Sequence, residues 1–213
     1  MTTNTKVRRA FTGDHVQQYD MKSQKANWLD PEIVFGLAYR DTAPGETILD
    51  VGIGTGLASV LFHKAGLRVK GMDFSSEMLE VCRKKAFASE LAEHDVSVSP
   101  YPFADESVHH AVCTGVMHLF SDLDVIFSEV ARIMKKGGVF AFVVAHQDDA
   151  DSGERSFHGR TCRPGVTFHF HSPSSLSRLG ERCGFEPIRS LRFTSASIGR
   201  RELEYRACVV RKI

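Results

Sequence analysis

Ile48-Leu49-Asp50-Val51-Gly52-Ile53-Gly54-Thr55-Gly56-Leu57-Ala58-Ser59 is the stretch on which the reading of this chain turns. Thr47 to Val51 is a short apolar run, as in a buried strand, and Leu57 to Ala65 continues at helical spacing, with Gly66 suited to end the helix. Glycine at three alternate positions between them predicts a tight turn whose backbone can approach a ligand closely. The helix behind it offers free N–H groups and the positive end of its dipole. In a doubly wound sheet such a turn lies at the ligand crevice.

Outward from this turn, strand and helix alternate. Arg68 to Met72, Leu91 to His94, Val108 to Thr114 and Val139 to Ala145 read as strands. Ser75 to Ala86 and Leu123 to Met134 read as helices between them, Ser75 capping the first and Gly137-Gly138 ending the second. VFAFVVA at 139–145 is apolar throughout, as a strand covered on both faces should be. Upstream, Asp30-Pro31 predicts a helix start with Asp as the cap. Downstream, Ser172-Pro173 opens a helix to about Cys183, and Phe185 to Phe193 and Leu203 to Val210 read as two further strands. The pattern predicts a three-layer αβα Rossmann-like sandwich, with a mostly parallel seven-stranded sheet and an antiparallel last strand. One domain is expected: a helical cap over 11–45, a core over 46–145, a lid or substrate segment over 146–172, and a C-terminal helix with strands over 173–213.

Composition narrows the function classes. The chain has 213 residues, 42% hydrophobic and 25% charged, with a formal net charge of +1. It is long enough for one well-filled core. The balance gives no electrostatic case for nucleic acid or a membrane surface. The five cysteines include no Cys-x-x-Cys pair, which argues against a disulfide framework or a cysteine-rich zinc site. With no apolar run near the length of a membrane span and a polar start, a cytoplasmic location is the expectation.

Two cofactor classes use glycine turns of this kind. The dinucleotide form is Gly-x-Gly-x-x-Gly. Here Leu57 stands where its third glycine belongs, which counts against a nicotinamide cofactor. Asp50, two residues before Gly52, suits a ligand carrying an amino group and a sulfonium. Asp50-Val51-Gly52-Ile53-Gly54-Thr55-Gly56 resembles motif I of the Rossmann-like (class I) S-adenosylmethionine methyltransferases, with Ile53 where Cys or Ser is usual. Asp73-Phe74-Ser75-Ser76-Glu77-Met78-Leu79, Pro102 to Val108 and Lys135-Lys136-Gly137-Gly138 resemble further segments of that family, in order. The likeness runs over about 19–145 and is nearest to the methyltransferase-11/25-like group. Val108-His109 departs from the usual Phe-Asp.

The resemblance implies S-adenosylmethionine as cofactor and assigns residues to it. Asp73 would accept both ribose hydroxyls. Phe74 would lie beside the adenine, Asp95 would accept the adenine amino group, and the Val96 N–H would sit near the ring. Met78, Thr114 and the three glycines would line the site, and Tyr19 would close it from the N-terminal cap with Trp28. The activity implied is methyl transfer to an O, N or S atom of a small-molecule acceptor. An RNA methyltransferase or a non-catalytic S-adenosylmethionine-binding module are the alternatives.

Methyl transfer from a sulfonium needs alignment and water exclusion more than a catalytic signature. His118, in CTGVMHLF, and His146, at the end of the fifth strand, are the candidates for a base or an acceptor contact. For His118 a packing role is an equal alternative, and for His146 it is the stronger one. His169 and His171 alternate in TFHFHS and would need Cys162, His158 or other ligands to hold a metal; no metal is expected. Arg160, Arg163 and Arg178 could meet an acceptor carboxylate or be plain surface charges.

Overall fold

The computed structural model describes residues 13–149, 156–158, 166–196 and 202–213. Among these described residues, nine strands and seven α-helices follow in chain order. Helices α1 (Asp14–Gln17), α2 (Tyr19–Lys25) and α3 (Asp30–Ala38) precede β1 (Thr47–Val51). Then come α4 (Ser59–Lys64), β2 (Arg68–Asp73), α5 (Ser76–Lys84), β3 (Ala88–Glu93), β4 (His110–Cys113), α6 (Asp124–Ile133) and β5 (Val139–His146). The chain closes with β6 (Ser156–His158), β7 (Thr167–His171), α7 (Pro173–Arg182), β8 (Phe185–Ala196) and β9 (Glu202–Lys212).

Strands β3, β2, β1, β4 and β5 lie side by side and parallel. Next to β5 runs β9, antiparallel from Val139↔Arg211 to Ala145↔Tyr205, and β8 pairs β9 antiparallel in turn. These seven strands are the expected Rossmann-like sheet. The expected lid segment supplies a further piece of sheet. Ala145 is paired on both edges, with Tyr205 on one and with Phe170 on the other. So β7 takes the edge that β4 leaves free beyond Cys113, and β6 pairs β7 antiparallel.

Strand β5 shows why the layers form. Its side chains alternate between two cores. Phe140, Phe142 and Val144 join Phe127, Val130 and Ile133 of α6 and Leu176 and Leu179 of α7. Val139, Ala141, Val143 and Ala145 join Val34 and Ala38 of α3, Phe62 of α4 and Leu79 and Cys82 of α5. The whole strand is buried, as its unbroken apolar run predicts. Among the described residues no helix is long and apolar enough to cross a membrane.

Helix starts follow the cap residues, with one correction. Ser75 accepts the Met78 N–H at 3.2 Å, and Ser172 accepts the Ser175 N–H at 3.3 Å. Asp30 does not cap α3: Leu29 is the cap residue and makes no side-chain cap bond. The helix starts one residue earlier than Asp-Pro suggests, so the Asp30 carboxylate falls in the first turn and is buried.

The glycine turn is pinned to β2 by one close contact. A Cβ built on Gly71 would lie 2.4 Å from Ile53 Cδ1 and 2.9 Å from Ile53 Cβ. Ile53 therefore replaces the usual small residue only because its neighbour strand has no side chain there. Gly71→Ala should destabilise the domain by about 2 kcal/mol through overpacking. Adding Ile53→Ala should recover part of that loss. Chemical denaturation of the two single variants and the double variant measures the coupling, and additive effects would refute the contact.

Candidate cofactor and acceptor site

The C-terminal ends of β1, β2, β3 and β4 form one edge, because their registers run Asp50↔Gly71, Asp73↔Glu93 and Asp50↔Val112. Along it lie the glycine turn, Asp73, Asp95 and Thr114. The turn takes three positive φ values, +77° at Gly52, +54° at Gly54 and +86° at Gly56. The glycines serve different needs. A Cβ on Gly52 would strike Val116, and one on Gly56 would strike Phe87, each at 2.4 Å. A Cβ on Gly54 would meet no atom within 4 Å. Gly52 and Gly56 are thus required by packing, whereas Gly54 borders open space, the cradle a ligand can enter.

Asp73 organises this edge. Its two carboxylate oxygens accept the Gly54 N–H and the Ser75 N–H, each at 2.9 Å. Burial pushes the carboxyl up to about 6, against the lowering effect of those N–H groups. Asp50 lies fully buried beneath the turn, and one of its oxygens has no hydrogen-bond partner. Burial pushes it up to about 7, only partly offset by Ser59 and helped by the charge of Asp73. Asp95 accepts from Ser97 N–H at 3.0 Å and Ser97 Oγ at 2.7 Å, while Val96 is buried. Phe74 packs against Leu119, Val166 and Phe168, a small cluster that joins the end of β2 to β7. Met78 is buried on α5.

From the N-terminal side α2 is tied to the turn. Asp20 accepts the Thr55 hydroxyl at 2.5 Å and pairs with Lys85 Nζ at 2.5 Å. Lys85 also donates to the Thr55 carbonyl at 2.7 Å. Trp28 follows, its ring 3.2 Å from where a Gly115 Cβ would stand, just past the end of β4. Sequence reasoning picked out Tyr19 and Trp28 here and missed Asp20 and Lys85. The signal available was the pair Tyr19-Asp20, read for its aromatic alone.

The two histidines differ in their surroundings. His118 sits in the 3-10 turn Met117–Leu119, buried, with its ring 4.7 Å from Phe168 and 6.1 Å from Tyr205. Its Nδ1 has no partner, and burial holds its pKa down to about 3. His146 has both ring nitrogens engaged, Nε2 with Asp148 at 3.1 Å and Nδ1 with Arg206 at 3.4 Å. Asp148 and Arg206 continue to Arg192 and Ser190. His171 Nε2 meets the Phe120 carbonyl at 3.1 Å. Arg178 lies on α7. Arg160, Cys162, Arg163 and the His158 side chain fall outside the described residues.

Residues 49–142 match the sequence model of a methyltransferase domain family. That match covers less than half of the chain and marks the stretch from β1 to β5 as similar to methyltransferase domains. A malonyl-[acyl-carrier protein] O-methyltransferase from Legionella pneumophila is 29% identical over 153 residues, 70% of this chain and 52% of that protein. A demethylmenaquinone methyltransferase from Chlorobaculum parvum is 39% identical over 92 residues, 43% of this chain and 37% of that protein. The chain thus spans about half the length, or less, of these relatives. The magnesium protoporphyrin IX methyltransferase of Synechocystis PCC 6803, with bound SAM, shares the fold at a TM-score of 0.73 and 15% identity, over 100% of this chain and 98% of that one.

The crevice has a donor set that fits S-adenosylmethionine. The space over Gly54 is open, a carboxylate stands at the end of β2, and the unpartnered oxygen of Asp50 lies under the turn. A diphosphate would find buried negative charge here, whereas a cationic adenosyl compound finds its complement. Gly54→Ala should leave the melting temperature within about 3 °C of wild type, since only the left-handed backbone costs anything. It should weaken S-adenosylmethionine binding more than about tenfold, by filling the cradle. Gly52→Ala should instead unfold the domain at much lower temperature. Calorimetry of the two variants separates these outcomes, and equal effects on stability would refute the division of roles.

Proposed function

We propose that this chain is an S-adenosylmethionine-dependent methyltransferase acting on an O, N or S atom of a small-molecule acceptor. The observation that carries the reading is the glycine turn with open space over Gly54, held by the carboxylate of Asp73. In this reading the cofactor supplies a methyl group on a positively charged sulfur. Asp73 receives the ribose hydroxyls on lone pairs left beside its bonds to Gly54 and Ser75. Asp95 and the Val96 N–H meet the adenine, with Phe74 and Met78 around it. Gly52, Gly54, Gly56 and Thr114 line the amino-acid half, and Asp50 supplies negative charge below it. Tyr19 belongs to the N-terminal cap of 11–45, which excludes water.

The acceptor side is assigned to the ends of β4 and β5, beside β7. Relatives named as acting on malonyl-[acyl-carrier protein] and demethylmenaquinone support acceptors other than nucleic acid, and so does the net charge of +1. Burial lowers the pKa of His118 to about 3, which favours its neutral form. A neutral ring can contact the acceptor or take a proton from it, so His118 stays the candidate for an acceptor contact or base. His146, held between Asp148 and Arg206, is a positioning residue.

Isothermal titration with S-adenosylmethionine and S-adenosylhomocysteine tests the reading. Micromolar binding of both is expected, and binding of neither sinks it. Asp73→Asn should cost about tenfold or more in affinity through loss of charged hydrogen bonds. The sign of the pH effect follows from the raised carboxyl of Asp73. The ribose needs the charged form, so wild-type affinity should fall as pH drops below about 6, by up to about tenfold per pH unit. The Asn variant should lose that dependence.

A further inference from the structure

Between α7 and the β8–β9 hairpin lies a second cavity, which the cofactor reading does not use. Arg206, Cys208 and Val210 follow at alternate positions of β9 and so share one face. Cys208 and Val210 pack into the same core as Leu176 and Leu179 of α7. The cavity measures about 340 Å3, room for one small organic molecule. Phe142, Leu176, Phe185, Cys208 and Val210 give it an apolar lining. Arg206 stands at the end nearer the C-terminus of β5, where it pairs Val144. None of these residues belongs to the glycine-turn edge.

Arg206 is held in place without a counter-charge. Its Nε donates to His146 Nδ1 at 3.4 Å and its Nη1 to Ser190 Oγ at 3.0 Å. The His146 ring is itself fixed through Nε2 on Asp148. Both partners of Arg206 are neutral, and Nη2 donates to none of the described residues. The other arginines of the hairpin differ. Arg189 and Arg211 meet Asp41, and Arg192 meets Glu204 and Asp148. Arg192 also stands directly opposite Arg206 in the register, and like charges so placed repel. The acids at this end of the hairpin are thus spent on Arg192, while the half-buried Arg206 lines an apolar cavity.

We propose that this cavity binds a small organic acid, with its apolar body under α7 and its carboxylate on Arg206. A planar guanidinium with a free N–H edge matches a carboxylate. A phosphate would press more charge against the apolar lining, which costs more. Because Arg206 is already oriented by His146 and Ser190, little freedom is lost when the acid arrives. The proposal stands on this cavity alone and does not depend on which cofactor fills the crevice.

The test is isothermal titration of the full chain with octanoate and with octanol, its uncharged counterpart, at about pH 8, where the acid is fully ionised. Wild type should bind octanoate at least about tenfold more tightly than octanol, the worth of one charge-assisted hydrogen-bonded pair. Arg206→Gln should remove that preference and leave octanol within about twofold, whereas Arg206→Lys should keep part of it. Ser177 lies on α7 at the cavity wall, half-buried, with its hydroxyl on Glu181. Ser177→Phe should fill the cavity and weaken both ligands about tenfold or more, with the fold retained in circular dichroism. A wild-type chain that does not bind octanoate, or that binds it no better than octanol, overturns the proposal. So does octanoate binding that survives Ser177→Phe unchanged, which would place the acid elsewhere even if the Arg206 variants failed to fold.

Discussion

The carboxylate of Asp73 is the constraint on which the site depends. One oxygen takes the N–H of Gly54 and the other the N–H of Ser75, so the end of β2 holds both the glycine turn and the start of α5. A turn with three left-handed residues has no ladder of its own. It is kept in shape by this bond, by the Gly52 and Ile53 N–H groups on the Met72 carbonyl, and by Ile53 filling the gap over Gly71. Each holds because β1 and β2 are neighbours in register. The crevice is therefore a consequence of sheet order.

Among the described residues the domain also buries three acids that make no ion pair. Asp30, Asp50 and Asp73 are all almost wholly buried, and burial raises all three. A raised carboxyl lowers stability as pH rises from its unfolded value through its folded one, because the folded state holds the proton longer. The ligand-free domain thus incurs a cost that grows between about pH 4 and 7 and is fully present above it. A bound cation would relieve it, which couples occupancy to stability. His118 opposes this trend, since burial lowers it and the unfolded chain takes up its proton first. By contrast, the acids at the opposite ends of the strands are paired. Asp41 meets two arginines and Glu46 meets His110, and hydrogen bonds hold both below their ordinary values.

Much of the fold was legible in the sequence, for physical reasons. Strand β1 lies at Thr47–Val51 as expected, and β5 within a residue of its reading, because a strand covered on both faces shows as an unbroken apolar run. Ser75 and Ser172 cap their helices because short hydroxyl side chains reach a free N–H. Strand β3 begins earlier than Leu91, since an edge strand with a mixed burial pattern carries no clear period. The β6–β7 pairing was not legible, because it depends on β4 ending early and leaving one edge of β5 open. Asp30 read as a cap, and only the structure shows it buried inside the first turn. Asp20 and Lys85 stand 65 residues apart, and no local pattern joins them. The histidines were ordinary candidates by type, and the structure separates them by their partners.

The most direct measurement is a crystal structure of the full chain with S-adenosylhomocysteine. The account predicts ribose hydroxyls on the Asp73 carboxylate and the ligand's amino-acid half against Gly54. A ligand bound elsewhere, with Asp73 bonded only to Gly54 and Ser75, would contradict it.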